Sequence, residues 1–180
     1  PLQEKKEILC SCIYGVDIDI HAVEVAKFSL LLKLIENETA PSVAEVVPIL
    51  PDLGSNICFG NSLVSNAEMS GIPGADKQML DIIPFDWDEI NGGNCFNAII
   101  GNPPYVNTED MHALLPSAEF EIYKKRYKSP YKQFDKYFIF IERAIEKVRD
   151  HGYVCYIVPN KFFKIGAGKN LRDLIAKGKM

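Results

Sequence analysis

The chain has 180 residues, of which 47% are hydrophobic and 24% charged. That mix fits one compact soluble domain and argues against intrinsic disorder. No apolar run approaches the roughly 18–20 residues of a membrane helix, and the opening residues lack the apolar stretch of a signal peptide, so a cytoplasmic protein is expected. The net charge of −4 conceals an asymmetry: residues 1–120 hold 5 Lys and Arg against 18 Asp and Glu, and residues 121–180 hold 15 against 6. A basic half can hold phosphates, although a solvated basic surface accounts for it as well.

The five cysteines, Cys10, Cys12, Cys58, Cys95 and Cys155, include no C-x-x-C pair and no partner at zinc spacing, so no metal is expected. Cys12, Cys58 and Cys155 fall in apolar runs, which predicts buried reduced thiols. The three histidines (His21, His112, His151) are scattered and take no role.

Strand-like and helix-like segments alternate. Residues 12–17 read as a short buried strand ending in an acid. A helix follows from Ile20 to about Glu36, with Val23, Ala26, Leu30 and Leu34 on one face and Asp19 as its N-cap. Prolines and Gly54 then predict a loop. A second strand spans 56–61. Residues 66–94, rich in Gly and Pro, read as irregular, with one short helix near 77–82. Residues 96–101 form a third strand running into Asn102-Pro103-Pro104-Tyr105. Residues 117–131 are aromatic and basic without a clear period. A helix is expected from about Gln133 to Arg149, buried through Phe138, Ile141, Ile145 and Val148. A fourth strand spans 152–158, and a last helix 169–177. This alternation predicts an α/β fold with a mostly parallel sheet and flanking helices. Ligands of such sheets bind at the carboxyl ends of strands, where Asp17, Asn61 and Asn102 all fall, although Asp and Asn also simply end strands.

The N-P-P-Y turn is the feature with chemical content. Two prolines fix two φ angles and remove two donors, and Asn102 is pushed into an extended conformation. Such a stiff turn suits a planar amino group. Asn102 Oδ1 and a backbone carbonyl can accept its two N–H bonds, while Tyr105 stacks on the ring.

In this setting the sequence resembles the S-adenosylmethionine-dependent amino-group methyltransferases, and within them the N6-adenine DNA methyltransferases of restriction–modification systems (type II or IIG-like). Y-G-V-D-I-D at 14–19 is similar to the acidic motif whose carboxylate holds the cofactor ribose; Asp17 matches that acid and Ile18 follows it. G-N-S at 60–62 resembles the motif after the next strand, with Asn61 where the family usually has Asp, and Ser62 beside it. F-N-A-I-I-G-N-P-P-Y resembles the catalytic motif, D-K-Y-F-I-F-I-E-R-A-I at 135–145 the helix after it, and G-Y-V-C-Y-I-V-P-N-K-F-F at 152–163 the next strand. The resemblance implies a Rossmann-like methyltransferase fold. It implies a base flipped out of double-stranded DNA, with N6 held by Asn102 and the Pro103 carbonyl, the turn completed by Pro104, and the base stacked on Tyr105. Phe140 is the aromatic expected on the cofactor adenine. Lys124, Lys125, Arg126, Lys128 and Lys132, with Lys161, are expected at DNA phosphates.

The family's glycine-rich cofactor loop should precede Tyr14, and no glycine occurs before Gly15; the only G-x-G, Gly166-Ala167-Gly168, lies elsewhere. The chain begins with Pro and ends after the 169–177 helix. The expectation is a single partial catalytic domain over 1–180, truncated at both ends, with first and last strands and the target-recognition domain missing. It would be inactive alone, with the strands beside the missing one either pairing with another copy or meeting directly. Expected partners are a target-recognition domain or specificity subunit and a nuclease domain. The same turn also occurs in enzymes that methylate a glutamine side chain or guanine N2 in RNA. A non-catalytic scaffold module is the alternative from another class.

Overall fold

A computed structural model describes residues 2–44, 48 and 50–177. The chain divides into two units. One comprises residues 1–62 with 85–93, the other residues 63–84 with 94–180.

The first unit opens with α1 (Leu2–Cys12), which buries Leu2 and Leu9. Cys12 therefore ends a helix and does not start a strand. With only two apolar anchors a heptad apart, α1 lacks the periodicity that announces a helix. Strand β1 (Gly15–Asp17) leads into α2 (Ile20–Ile35). Asp19 caps α2 as expected, accepting from His21 N at 2.8 Å. The expected face is the buried one: Val23 and Leu34 lie in the core, with Ala26 and Leu30 packed on it. A short α3 (Ala40–Ala44) occupies part of the expected loop. Strand β2 (Ile57–Phe59) pairs parallel with β1, Asp17 opposite Phe59. Buried Asn56 fixes this junction. Its Nδ2 donates to the carbonyls of Cys10 (2.9 Å) and Ile13 (3.0 Å), satisfying the end of α1.

The second unit holds α4 (Asn66–Met69), α5 (Met79–Ile82) and β3 (Phe96–Gly101). The 66–94 segment is thus built from several short helical turns, more than the one expected. Helices α6 (Thr108–Leu114) and α7 (Ser117–Arg126) follow. The ambiguous 117–131 stretch is largely helical because Phe120, Ile122 and Tyr123 are buried together. The Gln78 side chain accepts from Ala118 N at 3.0 Å, in place of a cap from Pro116. Helix α8 (Lys136–Lys147) buries Phe138 and Ile141, and β4 begins at once (Val148–Tyr156), four residues earlier than expected. Strands β3 and β4 pair parallel, Phe96 opposite Val148 and Ala98 opposite Tyr153, with an irregularity between. Gly152 sits at that irregularity. A Cβ there would lie 2.8 Å from the Asn97 carbonyl. The last helix, α9 (Lys169–Lys177), buries Leu171.

Among the described residues the strands form two sheets, β1–β2 and β3–β4, each of two parallel strands. One expectation needs correction: the thiols are not buried. Cys12, Cys95 and Cys155 are exposed and Cys10 and Cys58 half-buried, all free. Apolar strands read as covered on both faces, whereas Ile100 is 81% and Tyr153 74% exposed. With two strands per sheet, one side of β3–β4 has no covering layer among the described residues.

Candidate functional site

The N-P-P-Y turn follows β3 directly. Asn102 and Pro104 are exposed, Pro103 is buried, and Tyr105 is half exposed. The Tyr105 hydroxyl lies 2.9 Å from Asn102 Oδ1 and 2.8 Å from the Ile157 carbonyl, two acceptors that share its one proton in a bifurcated bond. Ile157 N in turn donates to Gly101 O at 3.2 Å, so the turn and the end of β4 are tied together on both sides of Asn102. The Tyr105 ring meets Tyr137 edge to face, with centroids 6.1 Å apart.

Beyond the turn the chain is pinned to the start of α8. Lys136 N donates to Val106 O at 2.8 Å, and Asn107 and Asp135 form an antiparallel bridge. Asn107 also caps α6, accepting from Asp110 N at 2.9 Å. Tyr137 is buried; burial, reinforced by the Asp135 charge, pushes its phenol well above the usual tyrosine range. It stays a neutral donor, reaching Pro159 O at 3.3 Å. Phe140, further along α8, is half-buried and packs against the core.

The expected phosphate contacts divide by environment. Lys124 pairs with Glu121 at 3.1 Å, Lys125 reaches Gly71 O at 3.4 Å, and both are exposed. Lys128 and Lys132 are exposed, and the Lys132 ammonium lies 5.4 Å from the Tyr131 ring centroid. Lys161 bridges to Asp135 at 2.9 Å. Arg126 is held inward. Its Nε donates to Glu68 at 2.6 Å, and its two terminal nitrogens take both oxygens of Glu146. These carboxylates outweigh its partial burial and hold the guanidinium firmly protonated.

In the first unit, Asp17 and Ile18 are exposed at the carboxyl end of β1. Asp17 Oδ1 accepts from Asp19 N at 2.8 Å, and its carbonyl accepts from Gly60 N at 2.9 Å. An exposed acceptor-only carboxylate at a strand end fits a ligand diol. Asn61 is only 4% exposed, at the end of β2. The Ser62 carbonyl accepts from Trp87 Nε1 at 2.9 Å.

Two groups in the second unit have partners that local patterns do not show. Glu68 belongs to an S-x-x-E capping box with Ser65, a signal legible in sequence, but its pairing with Arg143 and Arg126 is long-range. Glu142 is 3% exposed. Its carboxylate accepts from Lys128 N and Ser129 N, the shortest bond being 2.7 Å. That fixes the backbone from which Lys128 projects. Among the described residues no group of His, Cys, Asp and Glu could hold a metal ion, and no helix is long and apolar enough to cross a membrane.

Residues 11–179 match the Eco57I restriction-modification methylase family. The chain is 48% identical over 175 residues to the type II restriction enzyme and methyltransferase RM.Eco57I of Escherichia coli, covering 97% of this chain and 17% of that protein. It is 34% identical over 82 residues to the type II methyltransferase M.PaeR7I of Pseudomonas aeruginosa, covering 46% of this chain and 14% of that one. Over 62 residues it is 45% identical to a putative type II restriction enzyme and methyltransferase of Methanocaldococcus jannaschii, covering 34% of this chain and 5% of the other. The match runs through the β1 acid, the β3 turn and the strand and helix that follow, and the chain belongs to the Eco57I restriction-modification methylase family.

Proposed function

We propose that this chain forms part of the catalytic domain of a site-specific DNA methyltransferase. It would transfer a methyl group from S-adenosylmethionine to N6 of adenine, within a cytoplasmic restriction–modification system. The observation that carries the reading is the turn at Asn102–Tyr105, directly after a parallel strand, with Asn102 exposed and its side-chain oxygen held by Tyr105. Family membership supports the methyltransferase class. The two parallel strand pairs agree with a Rossmann-like sheet.

The target adenine leaves the stack at a cost of a few kcal/mol. Asn102 Oδ1 accepts one N6–H and the Pro103 carbonyl the other, which turns the nitrogen lone pair out of conjugation. Tyr105 offers its ring to the flipped base. Catalysis by these residues is positioning and electrostatics, with no side-chain nucleophile. Asp17 would hold the ribose hydroxyls of S-adenosylmethionine, with Ile18, Asn61 and Ser62 beside it in the first unit; Phe140, in the second unit, is proposed from the family resemblance alone as an aromatic contact of the cofactor adenine. When bound, that cofactor supplies an electrophilic methyl group. Lys124, Lys125, Lys128, Lys132 and Lys161 attract backbone phosphates, and Arg126, engaged by two carboxylates, supports the helix that carries the first two.

RM.Eco57I is named as both restriction enzyme and methyltransferase. By that likeness the partners are double-stranded DNA, a target-recognition element and a nuclease. Activity is proposed for the assembled enzyme and not for residues 1–180 alone. Incubation of the full-length enzyme with cofactor and DNA, followed by nucleoside mass spectrometry, tests the reading. N6-methyladenine is expected. Methyl-glutamine in a peptide substrate, or N2-methylguanine in RNA, would overturn the substrate assignment.

A further inference from the structure

An exposed asparagine does not by itself keep its amide facing one way. The χ2 torsion is broad and roughly two-fold, so oxygen and NH2 exchange places at little cost. For Asn102 the two faces differ entirely in chemistry. Oδ1 accepts from an amino group, whereas a reversed amide would point two donors at it. Something must select the oxygen, and the turn supplies a donor for it. The Tyr105 hydroxyl lies 2.9 Å from Oδ1 and is itself anchored 2.8 Å from the Ile157 carbonyl.

Resting on the methyltransferase reading, we propose that Tyr105 is a positioning residue as well as a stacking one: its hydroxyl, anchored on Ile157, sets the orientation of the Asn102 amide before the target base arrives. Oδ1 has two lone pairs, so the Tyr105 bond leaves one for an incoming N–H. The Ile157 carbonyl, the second acceptor of the same proton, holds the hydroxyl beside Oδ1. The backbone bond from Ile157 N to Gly101 O at 3.2 Å holds the anchor in register with the strand that carries Asn102. The edge-to-face contact with Tyr137 limits where the ring can swing.

Tyr105→Phe keeps the ring and removes only the hydroxyl; thermal unfolding checks that the variant stays folded. The first measurement is NMR of the Asn102 side-chain amide in this chain, which needs no activity. The expected result is a dispersed amide pair in the wild type that moves to the position of a free, solvated asparagine in the variant. Unchanged signals would overturn the proposal. The second is steady-state methylation by the full-length enzyme. There kcat falls by about tenfold, the worth of one orienting hydrogen bond, while KM for DNA changes by less than about twofold. An unchanged kcat, or a loss confined to KM, would leave Tyr105 with stacking alone. If the wild-type enzyme methylates no DNA, the functional reading fails, and the NMR comparison still decides the orienting role.

Discussion

Arg143 on α8 grips Glu68 on α4 from 75 residues further along the chain, one Nη2 lying 2.8 Å from both carboxylate oxygens. The same Nη2 reaches the Leu63 carbonyl at 2.9 Å, where the Tyr127 hydroxyl also donates at 2.6 Å. Arg126 closes the cluster between Glu68 and Glu146. Two arginines and two glutamates thus lock α4, α7 and α8 together. Removing Arg143 leaves Glu68 to Arg126 alone. Arg143→Met is expected to cost about 1.5–3 kcal/mol, the usual loss for hydrogen bonds to a charged group whose charge keeps a second partner, read as a lower urea midpoint. A loss under about 1 kcal/mol would mean that the cluster behaves as an exposed one.

The cluster also predicts a pH dependence. Burial pushes the Glu68 carboxyl up, but Arg143, the Ser65 amide and Arg126 together outweigh it and hold the group below its ordinary value of 4.5. A carboxylate with a lowered folded pKa contributes stability above its unfolded pKa and loses it as pH falls through the folded value. The wild type should therefore be more stable than Glu68→Gln near neutral pH. The difference in Tm should shrink once the pH drops below about 4.5. A difference independent of pH would remove the charge from the explanation.

Gly168 in the G-A-G segment has a packing reason. A Cβ there would lie 2.0 Å from the Phe162 carbonyl oxygen, which also accepts from Arg172 Nη1 at 2.6 Å. Gly168→Ala must push backbone apart and is expected to destabilise by about 1–3 kcal/mol. Gly166→Ala, with open space around it, should be nearly neutral. Equal effects of the two in thermal unfolding would contradict this account.

The basic segment after α7 makes a separate prediction. Glu142 holds the amides of Lys128 and Ser129, and Asn170 Nδ2 donates to Lys128 O at 2.9 Å, so Lys128 stands on a fixed backbone. If Lys128 and Lys132 neutralise phosphates, replacing both by Ala should lower the slope of log K against log salt by about two for DNA binding by the full-length enzyme, measured by anisotropy. An unchanged slope would assign them to solvent.

Much of the layout was legible because it rests on local signals. The α2 face, the Asp19 cap, β3 and α9 follow from periodicity and turn chemistry, and the N-P-P-Y turn announces itself. What was illegible depends on distant partners. Arg126 reads as one more cation in a basic run, and carboxylates 58 and 20 residues away turn it inward. The aromatics of α7 blur its helical period, and α1 has two anchors only. The open face of β3–β4 is not legible because an apolar strand looks the same in sequence whether or not a layer covers it.

Asn102 is the residue on which the functional account stands. The most direct test is methylation of DNA by the full-length enzyme carrying Asn102→Ala, with N6-methyladenine quantified by mass spectrometry. The side chain is exposed, so the variant should fold and bind cofactor normally. Its kcat should fall by at least about a hundredfold, as when a preorganised hydrogen-bonding group is lost from a transition state. Wild-type rates in Asn102→Ala would contradict the account.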